Sequence, residues 1–344
     1  MTQPEEIYMQ RALQLAALGK FSTAPNPLVG AVIIHEGKII GEGYHRKCGE
    51  AHAEVHAINS VSNISLLPES TIYVTLEPCS HFGKTPPCAD LIVKHNFKRV
   101  VICNTDPFEK VAGGGIKKLK EAGIAVESGC LENYGRHLNR RFFCFHEKKR
   151  PFTILKWAES KDGFIGKKDR QIWLTNDLSK QLAHLWRAEE AAILVGKNTA
   201  ILDNPELTVR ETAGNNPVRF LIDKQLAVPN NAKIYNNKSN TIVLNCIETK
   251  QQKHVNFIKI DFEKSVAEQL GKICFDQNIS SIIIEGGANT LQQFIASNLW
   301  DEARVFSTKK ELKKGVKKPL FEGKIERRET LGSDTLKIYS NSTS

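Results

Sequence analysis

Residues 71–104, TIYVTLEPCSHFGKTPPCADLIVKHNFKRVVICN, decide the architecture. An apolar, β-branched run ends in Glu77-Pro78-Cys79. A proline pair then opens the helical segment PPCADLIVKHN, where the missing proline N–H costs nothing, and RVVICNTD returns as a strand. Strand, helix and strand in this order predict a mainly parallel sheet with helices on its faces. Outward from this stretch, apolar residues recur at helical spacing from Glu5 to Gly19, and LVGAVIIHEGKIIGEGYH (28–45) reads as two strands folded about Glu36-Gly37. AHAEVHAINSV (51–61) and GIKKLKEAG (115–123) read as helices, IAVES (124–128) as a strand, and LENYGRHLNRRFFCF (131–145) as one helical segment.

The charged, proline-ended HEKKRP (146–151) marks a domain boundary, after which a second α/β pattern starts afresh. Its strands are FTILKWAE, AAILVG, PVRFLID, TIVLNC, SIIIE, DEARVFS and TLKIYS. Its helices are DLSKQLAHLWRAEE, SVAEQLGKICFDQ and ANTLQQFIASN. Two α/β domains, residues 1–146 and 151–344, are expected, which agrees with a length of 344 residues. With 41% hydrophobic and 25% charged residues the chain is a folded protein, and disorder or a collagen-like repeat is excluded. No apolar run approaches the roughly 18 residues of a membrane span, and MTQPEEIYMQ lacks the plan of a signal peptide, so a cytoplasmic protein is expected. Lysine and arginine exceed the acids by 10, which favours an anionic substrate or partner. The eight cysteines are expected as reduced thiols or metal ligands.

Metal chemistry is concentrated in His52-Ala53-Glu54, Pro78-Cys79 and Pro86-Pro87-Cys88. One imidazole and two thiolates leave a tetrahedral zinc one open corner, the arrangement of a catalytic site. Two thiolates cancel the charge of the ion, so a water in that corner needs a base, and Glu54 is placed to serve. The dipole at a helix start would hold Cys88 as thiolate. H-x-E followed by P-C-x-x-C marks zinc nucleobase deaminases, although here eight residues separate the cysteines and the insert SHFGKTPP lies between them. The competing reading is a closed structural site with Cys48 or His81 as fourth ligand. Glu54 weighs against it, because a structural site needs no carboxylate there. His45, His56 and His81 also read as surface or hydrogen-bonded histidines, and Asn26 in PNPLVG as a loop residue or a contact for a pyrimidine edge.

The second half lacks G-x-G-x-x-G after its strands. SIIIEGGANTL nevertheless exposes backbone N–H groups and a helix start to a pyrophosphate, or is simply a turn. Arg187 and Arg210 are planar forks suited to a phosphate or to solvent. Lys156 is a candidate donor to a reacting ribose oxygen. Trp173 is a candidate flank for a flat ring or a core filler, and Glu285 a candidate holder of substrate hydroxyls. The cluster KKELKKGVKK (309–318) reads as a solvated loop, with attraction of an anionic partner as the alternative.

HAEVHA, PCSHFGKTPPC and PNPLVG resemble the deaminase half of the bifunctional riboflavin-biosynthesis deaminase-reductases. KWAESKDG, DNPELTVR and EGGANTLQQF resemble their reductase half. The resemblance implies a cytidine-deaminase-like three-layer α/β/α domain with His52, Cys79 and Cys88 on zinc and Glu54 as proton shuttle. The substrate would be 2,5-diamino-6-ribosylamino-4(3H)-pyrimidinone 5′-phosphate. It implies a second domain built like dihydrofolate reductase that uses NADPH to convert the ribosyl to a ribityl chain. Cofactor contacts are implied at Glu159, Trp173, Thr199, Asp203 and the turn Gly287, Ala288, Asn289, Thr290, Leu291, Gln292 and Gln293. Substrate contacts are implied at Gln171, Leu207, Arg187, Arg210 and Glu285. Lys161, where an apolar residue is common, and Gln171, in place of a serine, depart from the family pattern at the edge of the reductase site. Two other readings stay open here: a deaminase of free or RNA-borne bases, tested by NADPH affinity, and a zinc-stabilised RNA-binding protein, tested by salt-dependent RNA affinity.

Overall fold

The computed structural model describes residues 4–80, 86–108 and 113–341. The chain divides after Lys148 into two compact units.

The N-terminal unit runs α1 (Pro4–Ala17), β1 (Gly30–His35), β2 (Lys38–Tyr44), α2 (Ala53–Asn59), β3 (Thr71–Leu76), α3 (Cys88–Lys94), β4 (Arg99–Asn104), α4 (Gly114–Glu121), β5 (Ala125–Ser128), α5 (Glu132–Leu138) and α6 (Arg140–Lys148). Its sheet has the order β2-β1-β3-β4-β5. Alternate strand residues feed opposite faces, as the period of two requires. Ala31, Ile33, Ile72, Val74, Val100 and Ile102 pack against α2, α3 and α4. Val32, Ile34, Tyr73 and Val101 receive Met9, Ala12 and Leu15 of α1. The result is a three-layer α/β/α stack.

The hairpin closes at Glu36 (φ 47°) and Gly37 (φ 75°), the two left-handed residues that a tight turn between right-twisted strands requires. In this unit the sheet is less parallel than the sequence predicts: β3, β4 and β5 run parallel, but β1 is antiparallel to both β2 and β3. The hairpin reverses the chain before the α2 crossover, so the returning strand lies alongside β1 in the opposite sense. The helical segment at 131–145 is also divided, because Asn139 turns its side chain onto Leu28. It accepts the Leu28 N–H and donates to the Leu28 carbonyl, both at 2.8 Å.

The C-terminal unit runs β6 (Phe152–Glu159), β7 (Phe164–Gly166), α7 (Asp177–Glu189), β8 (Ala192–Gly196), α8 (Lys197–Asp203), β9 (Val218–Ile222), β10 (Thr241–Asn245), β11 (Lys250–Gln252), β12 (Val255–Lys259), α9 (Val266–Asp276), β13 (Ser281–Ile284), α10 (Ala288–Ala296), β14 (Glu302–Ser307), β15 (Val316–Lys317), β16 (Lys324–Leu331) and β17 (Asp334–Ser340). The main sheet has the order β11-β12-β10-β9-β8-β13-β6-β14-β17-β16. From β12 to β14 the pairings are parallel, and antiparallel strands close both edges. The central strands β8 and β13, and β10, are buried along their whole length and read as largely apolar runs. The edge strand β16, KIERRETL, is exposed and charged, which blunts pairing with other chains.

Candidate active sites

In the N-terminal unit the sites collect at the carboxyl ends of the parallel strands, as in other open α/β sheets. His52 directly precedes α2, Cys79 follows β3, and Cys88 begins α3 behind Pro87. The ligand atoms of these three residues lie within 4.8 Å of one another. His52 Nδ1 stands 3.5 Å from Cys79 Sγ and 3.3 Å from Cys88 Sγ. A tetrahedral zinc with ordinary Zn–S and Zn–N lengths needs N···S edges of about 3.6 Å, so the donor set fits that ion. Cys48 is exposed and does not join the cluster. His81 lies outside the described residues.

The two thiols share one proton, with the Cys88 backbone N–H directed at Cys79 Sγ at 3.3 Å, and this sharing draws the Cys79 thiol down and pushes the Cys88 thiol up. A divalent ion would replace that shared proton.

Glu54 is 3% exposed, and burial, with the Cys79 sulfur beside it, raises its carboxyl to about 7. Its Oε2 has no hydrogen-bond partner among the described residues. Nearby, His45 donates Nδ1–H to the Ala51 carbonyl at 3.1 Å and accepts Asn26 Nδ2 at Nε2, at 3.2 Å. Its ring meets that of His52 edge-on, 5.5 Å between centroids. His45 is thus a buried link between Asn26 and the ligand cluster and not a surface residue. His56 is half-buried, with Nε2 unpartnered among the described residues.

The sequence carries no signal for Glu77. Its buried carboxylate accepts the N–H groups of Asp106, Gly113, Gly115 and Ile116 at 2.9–3.3 Å, which ties the start of α4 to the Cys79 segment. Gly115 permits the approach, because a Cβ there would collide with the Pro78 carbonyl oxygen.

In the C-terminal unit a cavity of about 510 Å³ is lined by Lys156, Gln171, Trp173, Arg187, Leu207 and Arg210, among others. Asp203 also lines it. Glu285, just beyond β13, accepts from Arg187 Nη2 at 2.9 Å and lies 3.7 Å from Lys156 Nζ. Burial alone would raise the Glu285 carboxyl, but Arg187 and Lys156 outweigh it and hold it at about 2. Burial lowers the Lys156 ammonium from its usual range. Leu207 has its side chain in the core and φ 55°, so what it can offer the cavity is its backbone.

The other residues implied as cofactor contacts lie at and beyond the carboxyl ends of β6, β8 and β13. A side chain added at Gly287 would sit 3.6 Å from Thr199 Oγ1, so the starts of α8 and α10 adjoin. Thr290 fills the space between Gly196 and Gly286. Leu291 is a core side chain whose N–H bonds Gly287, and Gln292 accepts the Leu320 N–H. The backbone N–H groups at 288–290 are the orphan donors of this turn. Glu159 receives Trp157 Nε1 and Ser307 Oγ, both at 3.2 Å, and pairs with Lys318 at 3.3 Å.

Of the two departures, Gln171 lines the cavity whereas Lys161 points away, paired with Glu311 at 3.1 Å. The lysine cluster is more than a solvated loop. Lys310 Nζ donates to the Trp173 carbonyl at 2.7 Å, Lys318 meets Glu159, and Val316–Lys317 pair with β7. Asp162, in the turn after β6, accepts Ser160 Oγ and the N–H groups of Leu312 and Lys313, which together hold its carboxyl at about 2.

A buried carboxylate beside a three-ligand zinc constellation, joined to a second α/β unit with a cation-lined cavity, defines a two-domain deaminase-reductase. Residues 2–104 match the cytidine and deoxycytidylate deaminase zinc-binding region, and residues 151–326 match the RibD C-terminal domain. The chain belongs to the RibD family of riboflavin-biosynthesis proteins, bifunctional enzymes with a zinc-binding deaminase domain and an NADPH-using reductase domain. It is 40% identical to RibD of Aquifex aeolicus, over 90% of this chain and 88% of that one. It is 38% identical to RibD of Bacillus amyloliquefaciens, over 88% and 84%. Among solved structures it resembles Acinetobacter baumannii RibD (TM-score 0.89, 31% identity, 98% of each chain). It also resembles a Thermotoga maritima diaminohydroxyphosphoribosylaminopyrimidine deaminase/5-amino-6-(5-phosphoribosylamino)uracil reductase (TM-score 0.89, 34% identity, 98% and 99%). No helix among the described residues is long and apolar enough to cross a membrane.

Proposed function

We propose that residues 1–146 deaminate 2,5-diamino-6-ribosylamino-4(3H)-pyrimidinone 5′-phosphate and that residues 151–344 reduce the product to 5-amino-6-(5-phosphoribitylamino)uracil with NADPH. The observation that carries the first half is the unpartnered, buried Glu54 Oε2 beside the His52, Cys79 and Cys88 ligand atoms. Zinc, when bound, supplies Lewis-acid polarisation of water. Glu54, buried with an unpartnered Oε2 beside the ligand atoms, takes a proton from the attacking water and passes it to the departing amine, so ring C2 gains an oxygen and ammonia leaves. Asn26, oriented by His45, holds the pyrimidine edge.

In the second half NADPH supplies a hydride. Lys156, partly buried and with a lowered pKa, donates a proton to the ribose ring oxygen as the ring opens and C1′ is reduced. Glu285 fixes Lys156 and Arg187 and faces the ribose hydroxyls. Arg187, Arg210 and the Leu207 backbone hold the ribotide with Gln171. Thr199, Asp203, Trp173, Glu159 and the turn 287–293 hold the cofactor.

A cytoplasmic homo-oligomer with a phosphorylated pyrimidine substrate and no nucleic-acid partner completes this reading. Ligand thiols that must stay reduced support the location. The test is purified protein with the diaminopyrimidine ribotide, ammonia and NADPH being followed together. Glu54→Gln is expected to lower ammonia release about 10²- to 10⁴-fold while the C-terminal unit still oxidises NADPH with deaminated substrate. Loss of both signals, with unfolding, would refute it.

A further inference from the structure

The cavity of the C-terminal unit contains an imidazole that the assignments above leave unused. His184 stands on α7, four residues after Lys180 and three before Arg187, so all three share one helix face. It is 2% exposed and lines the cavity. Its Nδ1 accepts the Arg210 backbone N–H at 3.3 Å. A neutral ring that accepts at Nδ1 carries its proton on Nε2, and no residue among those described takes that proton. The free donor therefore belongs to the cavity.

The charged groups facing the ring are Arg187 on its own helix, Arg210 and Glu211 from the segment after α8, and Glu285 from the end of β13. Lys180, paired with Glu211 at 3.3 Å, stands at the rim. Burial, then the two guanidinium groups, hold the imidazole down at about 4, so it is neutral at pH 7. Arg210 pairs with Glu206 at 3.3 Å and Arg187 with Glu285 at 2.9 Å, and each guanidinium has further N–H donors that, with a buried neutral imidazole between them, suit a dianion.

We propose that His184 is a third phosphate-binding group of the reductase cavity, donating Nε2–H to the ribotide 5′-phosphate bracketed by Arg187 and Arg210 while Nδ1 stays the acceptor of the Arg210 N–H. The proposal rests on the reductase reading above and goes beyond it by adding a residue.

The probe is ribose 5-phosphate, titrated calorimetrically into the full chain at pH 7. In His184→Gln the amide can still accept the Arg210 N–H and donate to the cavity, so affinity should stay within a few-fold of wild type. His184→Phe should bind about tenfold more weakly or worse, and in ribotide reduction the loss should fall on KM more than on kcat. Unchanged near-ultraviolet circular dichroism confirms the fold of each variant. Equal affinity in wild type and His184→Phe would overturn the inference and leave the reductase reading standing. If replacing Arg187 and Arg210 together by Met leaves ribose 5-phosphate affinity unchanged, the phosphate is elsewhere, and both assignments fall.

Discussion

Asn26 and His45 form a relay with one possible sense. The His45 Nδ1–H is committed to the Ala51 carbonyl, so Nε2 must accept from the Asn26 amide nitrogen, and this leaves the Asn26 carbonyl oxygen pointed elsewhere. His45→Phe removes the acceptor and lets the amide rotate. Steady-state kinetics should show a rise in KM for deamination of about tenfold, with zinc content by atomic absorption unchanged. A fall in bound zinc instead would mean that His45 serves the ligand cluster through its edge contact with His52.

Gly115→Ala tests the packing of α4 on the ligand segment. The added methyl collides with the Pro78 carbonyl, a backbone atom one residue from Cys79 that cannot swing aside. Zinc stoichiometry and ammonia release should fall together, whereas a glycine-to-alanine change at an unconstrained helical position would stabilise by up to about 1 kcal/mol. Full zinc loading of the variant would count against the close approach.

Glu285 is held as a carboxylate by Arg187 and Lys156, so its folded pKa, about 2, lies below the unfolded value. The stabilisation is therefore present above the unfolded pKa of about 4.3 and lost as pH falls toward 2. Glu285→Gln leaves two partly buried cations short of their partner and should cost up to about 3 kcal/mol in the C-terminal unit. Urea denaturation at pH 7 should show that loss, and the gap between wild type and variant should narrow at pH 3. A gap that stays constant down to pH 3 would contradict the assigned charge state.

Asn139→Ala should destabilise the N-terminal unit by about 2–3 kcal/mol, since the Leu28 N–H and carbonyl each lose a hydrogen bond. Thermal unfolding should report it as a lowered midpoint of that unit. Asn139→Asp, which keeps the acceptor and loses the donor, should fall between.

Asn139 also marks where sequence periodicity stops being informative. Residues 131–145 carry one continuous helical pattern, and the break comes from a tertiary partner 111 residues away. The edge strand β16 is illegible for another reason: both of its faces are charged or exposed, so it has no apolar alternation to detect. By contrast the β1–β2 hairpin and the strands around Cys79 were legible because burial and turn chemistry point the same way there. The zinc triad and Glu54 follow from residue type and spacing. His184 does not, since a histidine in an amphipathic helix looks the same whether it fills a core or faces a ligand. Its role depends on Arg210, which the loop after α8 brings back to it.

His52, Cys79 and Cys88 belong to three separate segments, and nothing but the finished N-terminal unit holds them together. Whatever free energy the ion gains on capture is then spent on keeping those segments closed. In a cell starved of the metal, the half of the molecule that releases ammonia should become the part that proteases cut first, while its neighbour persists as an intact fragment.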